Sequence, residues 1–159
     1  MKCQKGQGLV EFAMVLPFLI LIILGLIYIG LLFSDYIALN NVARTAARDA
    51  ALISDTTWQA SGYQTIKTKY ITESKKSSEP NRHYLPNGLY TWDPSNDSQF
   101  SINYDTDSNG DPMVRVVLKA PVYSKDGGLY PVFVKVIGSA LEELTITYEM
   151  RSEAEHTTE

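Results

Sequence analysis

The sequence predicts an α+β protein, with one long N-terminal helix followed by a small domain built on an antiparallel sheet. Three observations predict it. Residues Phe12 to Phe33 form a run of 22 without a charge. Beyond that run, Tyr36, Leu39, Ala43, Ala46, Ala50 and Ile53 step by three and four, the spacing of one helical face. The C-terminal half alternates apolar and polar residues on either side of an Asn109-Gly110 turn signal, the pattern of paired strands.

About 20 apolar residues in a helix cross a hydrocarbon core of roughly 30 Å. A helix apolar on every side has no use in a soluble domain of this size. The run is therefore read as membrane-spanning; the alternative, a buried core helix, sits badly with its length and with Lys2 and Lys5 ahead of it. A secretory signal has a core of about 7–15 residues and a small-x-small cleavage site. Here the core is longer and runs into Ser34-Asp35-Tyr36-Ile37, while the short basic leader ends at Gly6. Glu11 stands at the mouth of the run. A carboxylate near membrane depth is costly and calls for a partner or a role; the plainer reading is a side chain that reaches the headgroups. Pro17 removes a helical hydrogen bond, so a kink or local unwinding is expected near Met14 to Pro17. Lys2 and Lys5 before the span and Asp35 after it place the N-terminus in the cytoplasm and the rest outside. Arg44 and Arg48, a few turns farther out, weaken that contrast.

From Ser34 the helix is expected to continue to about Ser54, apolar all round in its first half and amphipathic in its second. Three of the six seam residues are alanine, so another element can approach closely. Arg44 and Arg48 lie one turn apart on another face beside Asp49, as a solvated surface or as a contact for anionic lipid or a partner subunit. A second helix begins at Ser61 or Gly62 and runs to Lys75, with Tyr63, Ile66 and Tyr70 on one face. The turn-rich Lys75 to Asn81 ends it.

Leu89 to Trp92 reads as a short strand. Phe100, Ile102 and Tyr104 mark a second, Val114 to Lys119 a third, and Leu144 to Met150 the last. Between the second and third lies Asp105-Thr106-Asp107-Ser108-Asn109-Gly110-Asp111-Pro112. It can be a polar hairpin turn. It also has the opening of a calcium loop, with Asp105, Asp107, Asn109 and Asp111 as ligands. An EF-hand needs a glutamate at its twelfth position and flanking helices; Val116 and strands stand there instead. The apolar Leu129 to Gly138 is too short to span a bilayer and either covers the sheet or touches the membrane surface. The tail from Ser152 is polar.

Composition narrows the function classes. The chain has 159 residues and a formal charge of −4; without Lys2 and Lys5 it carries 12 basic and 18 acidic side chains. That balance does not favour nucleic acid, which requires a basic face. Cys3 is the single cysteine and lies in the leader, so no disulfide can form beyond it. About 125 residues outside the anchor allow a modest core, and large aromatics help to fill it. No Gly-x-Ser-x-Gly elbow, HExxH, phosphate-binding glycine loop or Cys–His pair is present, which argues against an enzyme. His83 and His156 stand without companion ligands in the sequence.

Gly6-Gln7-Gly8-Leu9-Val10-Glu11-Phe12 resembles the processing site of type IV prepilins. The fuller GQGLVEFAMVLPFLILIILGLIYIGLLF, followed by ALNNVARTAARDAAL, resembles the TadE-like family, the minor pilins or pseudopilins of tight-adherence (Tad/Flp) pilus systems. The strand-like VRVVLKAPV and LTITYEMRSE look like that family's ending. The resemblance implies a leader of residues 1–6, cut by a prepilin peptidase between Gly6 and Gln7. It implies a transmembrane and amphipathic helix over 7–54, an extracytoplasmic α+β domain over 55–151 and a polar tail over 152–159. It gives Glu11, with Phe12 and Pro17, a role in assembly and axial register, Glu11 neutralising the new amine of Gln7 in its own chain or a neighbour's. It implies a structural subunit in the bacterial plasma membrane or a pilus. Its partners would be the peptidase, other pilin subunits, pilus platform proteins and membrane lipid, with no cofactor beyond the weak calcium loop. The alternative is an unprocessed, single-pass anchored binding module, indifferent to Gly6 and Glu11.

Overall fold

In the computed structural model, the structure describes residues 4–53, 61–123 and 142–152. Helix α1, Gln4–Ala51, dominates the N-terminal part. The chain divides into two units between Phe33 and Ser34, so α1 belongs to both.

In the first unit α1 keeps its large apolar side chains on the outside. Phe12 is 61% exposed and Phe18 72%. A soluble core helix would bury such residues, at about 1.5–3 kcal/mol each; in lipid the same exposure is favourable. This is a helix long and apolar enough to cross a membrane, consistent with a single-pass anchor. The expected local unwinding near Pro17 is not found, because helix runs unbroken on both sides of it. Only the carbonyl of Ala13, four residues back, loses its partner, and one such loss is tolerated within a spanning helix.

In the second unit the C-terminal half of α1 buries Leu39, Ala43, Ala46, Ala47, Ala50 and Ala51. The seam differs from the expected one at its start. Asp35 is fully buried, whereas Tyr36 is 38% exposed. Helix α2, Gly62–Ser74, lies where the second helix is expected and buries Ile66, Lys67 and Tyr70. Lys67 is a long cation that a core accepts only when paired; its ammonium bonds Asp97. A single 3₁₀ turn, Pro80–Arg82, follows the loop after α2.

Among the described residues three strands form an antiparallel sheet in the order β1-β2-β3: β1 Phe100–Thr106, β2 Pro112–Pro121 and β3 Glu143–Arg151. The register stacks Phe100 against Leu118 and Leu118 against Ile146, and likewise Ile102, Val116 and Tyr148. Alternation then puts Phe100, Ile102, Val114, Val116, Leu118 and Ile146 on the buried face. On the opposite face Arg115 lies between Asp105 and Glu149, at 3.6 and 2.7 Å. The core continues as an aromatic cluster. The Phe100 ring meets Tyr70 at 5.6 Å and Trp92 at 5.3 Å between centroids, both edge to face, the geometry that aromatic quadrupoles favour.

The expected strand at Leu89 to Trp92 is reduced to one bridge, Tyr90 with Val122. The Thr91 amide reaches the Pro121 carbonyl at 2.9 Å, but the Trp92 amide turns away to the Asn81 carbonyl at 2.8 Å. Pro121 has no N–H to return, so the ladder cannot continue. The segments Ser54-Asp55, Leu129 to Gly138 and His156 lie outside the described residues.

Candidate functional site

The first group of candidate residues lies on α1. Gly6 and Gln7 fall in its opening turns, and Glu11 follows Gln7 by four positions. One turn of helix, a rise of about 6 Å, therefore separates the backbone of Gln7 from the carboxylate-bearing position on the same face. Phe12 and Pro17 stand farther along the same helix. All these positions belong to the first unit, well separated in the chain from the hairpin turn that carries the acidic candidates.

In that turn the acidic residues face inward or toward arginines. The Asp107 carboxylate accepts the amides of Asn109 at 2.8 Å and Asp111 at 2.9 Å. Those two amides, Asp111 first, hold its carboxyl below the usual carboxylate range. Gly110 closes the turn at φ +84°, a left-handed conformation that glycine adopts without strain. Asp111 binds Arg151 at 3.0 Å and Asp105 faces Arg115. These carboxylates brace a hairpin. Among the described residues no group of three or more His, Cys, Asp or Glu is placed to hold a metal ion.

Sequence reasoning missed a clasp at the base of the second unit. The Asp35 carboxylate accepts the Asn87 amide at 3.0 Å and the Leu89 amide at 3.2 Å. Between them Gly88 takes φ +62°, which presents both neighbouring amides to one side. The Arg82 guanidinium packs against Gly88 and lies 4.9 Å over the Tyr123 ring. The signal was present in the sequence, as an aspartate placed directly after the apolar run and an Asn-Gly pair downstream. Nothing local joins the two, because more than fifty residues separate them.

A second feature that periodicity did not reveal is a groove of about 330 Å³ between α1 and α2, walled by Asn41, Val42, Thr45, Lys69, Tyr70, Glu73 and Tyr84. The Tyr84 hydroxyl bonds the Tyr70 carbonyl and the Glu73 carboxylate, each at 3.3 Å. The Tyr70 hydroxyl is buried with no hydrogen-bond partner among the described residues. Burial, then the charges of Asp49 and Glu73, push the Tyr70 phenol well above its ordinary range. Tyr84 is raised by burial and then by Glu73.

Residues 6–48 match the family model described as TadE-like protein. No curated protein and no solved structure gives a significant match. The matched span holds the apolar run, Gly6, Glu11 and the alanine seam as far as Ala47, the same stretch on which the resemblance rests. Over residues 6–48, about a quarter of its length, the chain is similar to TadE-like proteins.

Proposed function

We propose that the chain is a minor pilin or pseudopilin, cut by a prepilin peptidase between Gly6 and Gln7 and then assembled through its apolar helix. The observation that carries this reading is where the family match begins, at Gly6 itself, with Glu11 five residues on. Cleavage would create an amine at Gln7 one helical turn from the Glu11 carboxylate. A buried carboxylate left unpaired is costly, so pairing with that amine, in the same chain or a neighbour, would set axial register. Around the pair, contacts between helices in lipid depend on close packing and satisfied polar groups. Phe12 and Pro17 lie within the same apolar surface. Lys2 and Lys5 keep the leader cytoplasmic and send the second unit outside the bacterial plasma membrane.

The test is the intact mass of the protein from native membranes, wild type and Gly6→Ala. A wild-type mass lacking Met1 to Gly6, with full length in the variant, is the expected result. A leader retained in both would overturn the reading in favour of an uncut, anchored binding module. Glu11→Ala is expected to permit cleavage and weaken assembly, and normal piliation in that strain would refute the register role.

A further inference from the structure

A second pocket, of about 430 Å³, opens within the second unit and is lined by Glu79, Asn81, Arg82, Thr91 and Tyr123. Its rim carries both signs of charge. The Arg82 guanidinium donates to the Glu79 carboxylate at 2.7 Å and lies 4.9 Å over the Tyr123 ring. Glu79 is 62% exposed and Tyr123 59%, so water reaches both and holds the ion pair weak. The donors of Arg82 are not all used: Glu79 occupies one terminal nitrogen, and Nε has no hydrogen-bond partner among the described residues. A lone anion at this rim would be repelled by Glu79, and a lone cation by Arg82. A zwitterion gives each its opposite. A phosphate suits the forked guanidinium, and an ammonium suits the carboxylate and the exposed ring. A primary ammonium fits best, because its N–H groups can bond Glu79.

The fold keeps this pocket near the end of the membrane span. The Arg82 guanidinium packs against Gly88, which lies between the two amides that hold Asp35. Chain and contact together allow no more than about 11 Å from the Asp35 carboxylate to the guanidinium. Asp35 follows Phe33, the last residue of the uncharged run, by two positions of α1, a rise of about 3 Å. The headgroup layer outside the hydrocarbon is roughly 5–8 Å thick. These limits come from bonded chain and from contacts inside the second unit, so they hold at any angle that unit takes. Tyrosine and arginine are also side chains that suit this layer, with an apolar body and a polar tip.

We propose that the pocket at Arg82, Glu79 and Tyr123 takes the zwitterionic headgroup of a phosphoethanolamine lipid, its phosphate on Arg82 and its ammonium on Glu79 and the Tyr123 ring. The contact needs the anchor but neither cleavage after Gly6 nor assembly with other subunits. It is therefore tested on the uncut Gly6→Ala chain, where loss of processing cannot imitate loss of the contact. In nanodiscs of phosphoethanolamine lipid, some with a nitroxide on the headgroup, a dye is placed on the pocket through Asn81→Cys in a Cys3→Ser background. Quenching of that dye is expected, and an unquenched dye overturns the proposal. Native mass spectrometry of the chain extracted in detergent then counts the lipids retained. The expected preference for phosphoethanolamine over phosphoglycerol lipid is about fivefold, the size of an exposed ion pair. Arg82→Gln should abolish it. Glu79→Gln should shift it toward phosphoglycerol lipid, and the exposure of that side chain keeps the fold intact. An unchanged preference in both variants overturns the proposal. So does a wild-type preference for phosphoglycerol lipid, which would make Arg82 a site for anionic lipid alone. Free phosphoethanolamine retained as well as the lipid would make it a site for a soluble ligand and overturn the membrane assignment. Should Arg82→Gln unfold the chain, Tyr123→Leu is read in its place, and an unchanged preference there overturns the proposal.

Discussion

Asp35→Ala isolates the clasp. The carboxylate is fully buried and accepts two backbone amides. Hydrogen bonds to a charged group contribute about 1.5–3 kcal/mol each, and a stranded amide carries its own desolvation penalty. Against this stands the cost of holding a carboxylate away from water, several kcal/mol, which alanine removes. The net expectation is a loss of about 2–4 kcal/mol, a large share of the roughly 5–15 kcal/mol that stabilises a domain. For a unit of this size it corresponds to a fall in Tm of about 8–16 °C. Asp35→Asn should lose roughly half as much: its oxygen keeps one amide, but its NH₂ faces the other donor with a donor. The assay is thermal unfolding of the full chain in detergent, followed by the near-UV circular dichroism of the aromatic cluster around Trp92. A shift smaller than about 2 °C for Asp35→Ala would refute the clasp as a stabilising contact. Equal losses in the alanine and asparagine variants would refute the account of why both donors need a carboxylate.

Two more predictions concern the same unit. Gly88→Ala is expected to destabilise more than Gly110→Ala. Both glycines have positive φ, worth about 1 kcal/mol or more against alanine, but a Cβ at Gly88 runs into the Arg82 guanidinium whereas Gly110 has open space around it. Denaturation of both variants, alone and with Arg82→Ala, tests this; equal losses at the two glycines would sink the steric part. The second concerns pH. Tyr70 and Tyr84 have folded-state pKa values raised above the unfolded one. The stability this contributes is complete below the unfolded value of about 10 and is lost as pH rises beyond it. Tyr70→Phe should flatten the alkaline limb of the stability curve, with tyrosinate absorbance as the direct readout. An unchanged limb would contradict the burial of that phenol.

The elements legible in the sequence were those specified by local spacing. The uncharged run from Phe12 to Phe33 dictates a helix that lipid can surround. The three-and-four step of Leu39, Ala43, Ala46 and Ala50 marks a buried helical face, and alternation around Asn109-Gly110 marks the hairpin. The roles given to Gly6 and Glu11 rest on the resemblance of that stretch to a prepilin processing site, and the intact-mass and piliation experiments test them. Tertiary structure alone decided which charged residues go inside. Asp35 replaces Tyr36 at the head of the seam because two amides from Asn87 and Leu89 can satisfy it, and Lys67 is buried because Asp97 is there to meet it. Leu89 to Trp92 has strand composition, yet its pairing stops where Trp92 finds Asn81. The groove at Glu73 joins α1, α2 and Tyr84, whose adjacency no periodicity encodes. Spacing along the chain sets which face of an element is apolar. Whether a polar group on that face is tolerated depends on partners brought from distant parts of the chain, because burial without them is too costly.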